Sequence, residues 1–76
     1  MELRATAAVE LALAYGARVA GGIDDDTPEA IVEAALRTDG LVAEAEVALE
    51  AGEWRAAWSL ARRAVMLYTR ILLALA

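Results

Sequence analysis

Few groups in this sequence are able to do covalent chemistry. Ser59 is the only serine among the 76 residues, and the absence of His, Cys and Lys leaves nothing to activate it as a nucleophile. Glu44, Glu46, Glu50 and Glu53 recur at helical spacing, the pattern of a solvated acidic face. With no His there is no Glu-x-x-His pair to build a di-metal bundle and none of the usual zinc sets. Asp24, Asp25 and Asp26 carry oxygen ligands of the type calcium takes. They lack the alternating spacing and central Gly of a calcium loop, and are better placed to precede a helix N-terminus, where negative charge is favourable. The glycines are too scattered to cradle a phosphate. The sequence therefore predicts no catalytic residue, no metal ligand, no cofactor and no small-molecule substrate.

Charge narrows the partners. The formal net charge is -5 and the isoelectric point about 4.5, which opposes binding to nucleic acid or an anionic membrane surface. All seven basic residues are Arg, and four of them, Arg55, Arg62, Arg63 and Arg70, lie in the last third of the chain. A nucleic-acid surface would set aromatics among them, yet Trp54 and Trp58 fall on the apolar side of the same segment, so ion pairing with the surplus carboxylates is the expected role. Met1-Glu2-Leu3-Arg4 has mixed charge unlike a secretory leader, and no run reaches the ~18 uncharged apolar residues that span a bilayer. A soluble protein of the cytoplasm, or a recombinant one with no native compartment, is expected.

Composition supplies the strongest constraint. Hydrophobic residues make up 61% of the chain and mean hydropathy is +0.46, with 20 Ala and 11 Leu, while Asn, Gln, His, Cys, Lys and Phe are missing. A chain of 8.0 kDa leaves roughly 4,400 Å² accessible when folded and buries only about 60% of its unfolded surface. Large apolar side chains must then remain outside a single core, and association is the remaining source of stability.

The periodicity is helical throughout, with Gly and Asp clusters as breaks. It predicts an all-α fold, a compact antiparallel bundle of three to four helices at about 2–20, 28–37, 40–51 and 53–75, forming a single domain over residues 1–76. Gly21-Gly22 should stop the first helix in a left-handed conformation. Thr27-Pro28-Glu29 reads as an N-cap, a first-turn proline and an acid on the dipole. The second helix should carry Ile31, Val32, Ala35 and Leu36 inward, with Glu29, Glu33 and Arg37 outward. At Thr38-Asp39-Gly40 it either continues through a weak point or breaks. All three residue types prefer caps and turns, so a break is expected.

On a wheel of 100° per residue, Trp54, Trp58, Leu60, Leu67, Tyr68, Ile71, Leu75 and their apolar neighbours fill roughly 180–200° of the last helix, where one core contact needs about 100°. Either the other segments wrap a central helix, or one flank faces a second copy. The apolar surplus favours the second arrangement. Leu3 and Leu13 fall on the polar side of the first helix and are further candidates for a contact between copies.

Residues 41–67 resemble a tetratricopeptide-type helical hairpin. Ala45, Ala57 and Ala64 stand at the small positions and Gly52-Glu53-Trp54 at the turn, while Ala48 and Ala61 depart from the bulky residues of that repeat. The same stretch resembles the central helices of HEPN ribonuclease domains, whose Arg-to-His motif is missing here with His. The Thr27-Pro28-Glu29 start, Ala-rich packing and two apolar flanks also look like a computationally designed self-assembling helical subunit, from which the absence of Lys and the Gly21-Gly22-Asp24 run depart. The leading expectation is structural self-assembly into a closed homo-oligomer, a ring or cage with more than one interface. The alternative is a tetratricopeptide-like adaptor holding a partner protein or peptide.

Overall fold

The computed structural model describes every residue from Met1 to Ala76. Three helices follow one another, α1 (Glu2–Gly22), α2 (Glu29–Glu50) and α3 (Trp54–Leu75), with no strand. They form an up-down-up bundle of 40 × 16 × 15 Å. Its long axis is that of one helix of 22 residues, about 33 Å, extended by the turns and chain ends. In the middle lies α3, which packs equally on α1 and α2, whereas α1 and α2 touch each other much less. The central-helix arrangement therefore accounts for most of the wide apolar arc of α3. Ala57, Ala61, Ala64, Tyr68 and Ile71 form the buried centre of that arc. Trp54, Leu60, Val65, Leu67 and Leu72 form its half-buried margins.

Alanine makes the core. Nine of the fifteen buried residues are Ala: Ala5, Ala8, Ala12, Ala35, Ala45, Ala48, Ala57, Ala61 and Ala64. Small residues at the contact lines let helix backbones approach closely. The consequence is a thin interior in which the largest fully buried side chains are Tyr68 and Val19. None of the eleven leucines is buried. The accessible surface is 5071 Å², some 15% above the roughly 4,400 Å² that size scaling gives.

α2 runs unbroken through Thr38-Asp39-Gly40, contrary to the expected break between a helix at 28–37 and another at 40–51. Hydrogen bonding within the formed helix and packing against α3 override the local preferences. Thr38 is 2% exposed, and its hydroxyl donates to the Ala34 carbonyl at 2.8 Å, one turn back, so the polar group is satisfied inside the helix it was expected to end. Asp39 accepts a hydrogen bond from the Tyr68 hydroxyl of α3. Gly40 faces open space.

The helix ends differ from expectation in two further places. Pro28, not Thr27, occupies the N-cap of α2, and its carbonyl receives the Ile31 and Val32 N–H groups. Thr27 instead closes the loop: its Oγ1 accepts from the Asp24 N–H at 2.9 Å, while Asp24 Oδ1 accepts from the Asp26 N–H at 2.9 Å. α1 continues to Gly22 and leaves through extended Ile23, so Gly21 and Gly22 are helical and no left-handed cap forms there. Left-handed backbone occurs once, at Gly52 with φ 77°. There the Gly52 N–H reaches the Leu49 carbonyl and the Glu53 N–H reaches the Ala48 carbonyl, the paired bonds of a Schellman turn.

Gly40 and Gly52 are thus opposite cases. Gly40→Ala introduces a methyl with nothing within 4 Å and should stabilise by ~0.5–1 kcal/mol through helix propensity. Gly52→Ala must hold a positive φ and should cost ~1–2 kcal/mol. Thermal unfolding by circular dichroism at one protein concentration checks both: Tm should rise for the first and fall for the second. A fall at Gly40→Ala would show that α2 is broken there.

Candidate functional site

Because α3 is central, it is flanked by two open grooves. The first lies between α2 and α3. Arg63 and Arg70 are seven residues apart on α3 and project on one side of it, with Leu67 between them. The antiparallel course of α2 brings Arg37 level with Arg70, so three arginines surround an apolar floor of Leu41, Leu67 and Ile71 in a cleft of about 500 Å³. Towards the Gly52 turn the same helix pair continues as a shallower stretch of about 440 Å³, where Leu60 and Val47 lie between Glu44 and Glu53. Leu60 and Leu67, again seven residues apart, line the two stretches on the same side of α3. The groove is therefore oily along its length, with Arg37 and Arg70 at one end, Glu53 at the other, and Arg63 and Glu44 nearer the middle.

The second groove, about 410 Å³, lies between α1 and α3 and exposes Leu11 and Trp58 between Arg4 and Arg62. The Arg62 guanidinium sits 5.4 Å from the centre of the Trp58 ring, within the range of a cation–π contact. None of the six side-chain hydrogen bonds involves an arginine. The guanidinium donors of both grooves face outward without a protein acceptor.

The residues singled out from sequence separate into three groups. Tyr68 and Ile71 are buried within the chain, at 1% and 7% exposure, so their surface is taken by α1 and α2. Trp54, Leu60, Leu67 and Leu75 are half-buried at the margins: Leu60 and Leu67 in the α2–α3 groove, Trp54 against the small Ala5, Ala48 and Ala57 cluster, and Leu75 beside Gly22. Trp58, Leu13 and Leu3 are exposed, in the α1–α3 groove, beside α2, and alone near the start of α1 at 85% exposure. Leu36, expected inward, is 64% exposed because Ala35 occupies the contact line beside it.

Tyr68 has a structural task. Its ring lies against Gly16 of α1, where an added Cβ would stand 3.0 Å from the hydroxyl, and the hydroxyl donates to the Asp39 carboxylate of α2. One side chain thereby ties all three helices. Burial of the phenol pushes its pKa up, and the hydrogen bond to Asp39 and that carboxylate's negative charge push it further in the same direction.

No family model, curated protein or solved structure matches this chain. Its surfaces must be read from their own chemistry. Sequence reasoning missed Arg37 and Leu41 as groove residues, because they come from the other helix of the pair. It also missed Leu11 and Val47 on the two rims. The Arg63/Arg70 and Leu60/Leu67 spacings were the available signals. Neither groove contains a nucleophile beside a base. Both offer apolar contact flanked by charge, which is the equipment of an interface.

Tyr68 provides a pH test. Its hydroxyl holds its proton more tightly in the folded chain than the ~10 of free tyrosine. The stabilisation is complete below about pH 10 and lost as pH rises through the folded-state value. Tyr68→Phe should cost about 1 kcal/mol at neutral pH and remove this part of the alkaline decline. Urea unfolding at neutral pH and at increasing alkaline pH measures it; an unchanged alkaline decline in Tyr68→Phe would show that Tyr68 is not its source.

Proposed function

We propose that the chain is a structural self-association module, a helical subunit that builds a closed homo-oligomer through the apolar faces of its helices. The observation that carries this reading is the fate of the leucines, all of which remain at least partly exposed around an alanine core. Leu is ordinarily among the residues most often buried. Leaving so much of it in contact with water forfeits roughly 25 cal/mol for every Å² that another copy would cover. Exposed Leu3, Leu11, Leu13, Leu36, Val47 and Leu73 are spread over the helices. The grooves on both sides of α3 supply two separate contacts, the minimum for a ring or cage larger than a dimer.

The role is one of binding, with no chemistry assigned to any residue. A cytoplasmic setting suits it, and no helix is long and apolar enough to cross a membrane.

Light scattering on a sizing column tests the proposal. At about 100 μM, an interface worth only ~5.5 kcal/mol is half occupied, so the average mass should exceed 8.0 kDa and fall on dilution. A monomer throughout that range contradicts the proposal. Leu67→Glu places a carboxylate on the apolar margin and should weaken assembly at least tenfold, since an unpaired charge is costly to bury. Arg55→Glu, on the solvent side, should change it little. Equal effects would remove the apolar margins from the interface.

A further inference from the structure

The charge order along the α2–α3 groove matches its own reverse. Arg37 and Arg70 stand at one end and Glu53 at the other, with Arg63 and Glu44 nearer the middle. Arg70 and Glu53 are 17 positions apart in sequence, about 25 Å along the helix axis. Between them the floor is apolar, with Leu60 and Leu67 on the same side of α3 and Leu41 facing them from α2. A surface that is positive, oily and negative in sequence meets its complement when rotated by a half-turn about an axis through its middle. The rotation lays the basic end of one copy over the acidic end of the other, and does so twice, once at each end.

Resting on the reading of the chain as a self-associating module, we propose that this groove is an isologous two-fold interface whose occupant is the same groove of a second copy, the two α3 helices running antiparallel. Arg37 and Arg70 of one copy face Glu53 of the other, Arg63 faces Glu44 across the centre, and the leucines close over one another. A two-fold contact requires a self-complementary patch, in which every residue pair occurs twice. Three further observations fit. The arginines of the groove make no hydrogen bond within their own chain. Leu41, Leu60 and Leu67 are half-buried, as the margins of an incomplete core should be. The two stretches, about 500 and 440 Å³, give room for side chains of a facing helix pair. By contrast, the α1–α3 groove has Arg4 and Arg62 at its rim and no carboxylate, so it lacks self-complementary charge.

Charge reversal tests the geometry separately from the existence of assembly. Arg70→Glu sets carboxylate against carboxylate at both ends, and Glu53→Arg sets guanidinium against guanidinium. Each alone should weaken self-association, read by sedimentation equilibrium, by tenfold or more at low salt. The double variant Arg70→Glu/Glu53→Arg should recover most of the loss, and so should an equimolar mixture of the two single variants, whose mixed dimer pairs opposite charges at both ends. Circular dichroism checks that each variant remains helical; both positions are exposed. If one single variant fails to fold, Arg63→Glu with Glu44→Arg provides an independent pair. Self-association that is indifferent to these charges, or single variants that weaken without rescue, overturns the two-fold groove while leaving the module intact. A wild-type monomer overturns both readings.

Discussion

Alanine-to-alanine contact between helices is the constraint on which the rest of the structure depends. Nine alanines occupy the lines where α1 and α2 meet α3. Their small side chains allow close backbone approach, and the same closeness leaves no chamber for leucine. The usual relation between hydrophobicity and burial is therefore inverted: the smallest apolar residues are inside and the larger ones line the margins. A chain built this way gains stability from short, dense contacts, yet retains apolar surface whose transfer out of water needs another molecule. The accessible area of 5071 Å² is the numerical trace of that arrangement.

Within so thin an interior a single large side chain has unusual reach. Tyr68 fills the space opened by Gly16 and delivers its hydroxyl to Asp39, joining three helices through one residue. That contact also explains why α2 does not break. Thr38 turns its hydroxyl back onto Ala34, and Asp39 is engaged from a residue 29 positions away, so two groups that favour turns in isolation are satisfied in a continuous helix. Local propensity yields because packing and hydrogen bonding across the bundle outweigh a cost of about 0.5–1 kcal/mol per residue.

The class of fold, the extent of α3 and that of α1 to within two residues were legible in the sequence, since periodicity and the Gly52 break report on local geometry; the stop expected at Gly21-Gly22 lay too early, because both glycines are helical. The continuity of α2 was not legible, because Thr38 is satisfied only once the helix has formed and Asp39 is engaged by Tyr68 of α3. The wheel of α3 correctly showed an arc too wide for one neighbour but not what covers it. Two intramolecular helices take its centre, including Tyr68 and Ile71, and leave Leu60 and Leu67 at the edge. Leu36 failed for a related reason: residues adjacent on the wheel compete for one contact line, and in this bundle alanine wins it. The arginine-rimmed groove was half visible, as Arg63 and Arg70 share a helix side, whereas Arg37 joins them only through the antiparallel register of α2.

The central claim is that leucine displaced by an alanine core is completed by another copy of the chain. Isotope-filtered nuclear Overhauser spectroscopy, on a mixture of methyl-labelled and unlabelled protein, reads that contact directly. The account requires cross-peaks between copies from the methyls of Leu41, Leu60 and Leu67. Strong intramolecular peaks from the alanine core, with no peak between copies from any leucine at about 100 μM, would contradict it.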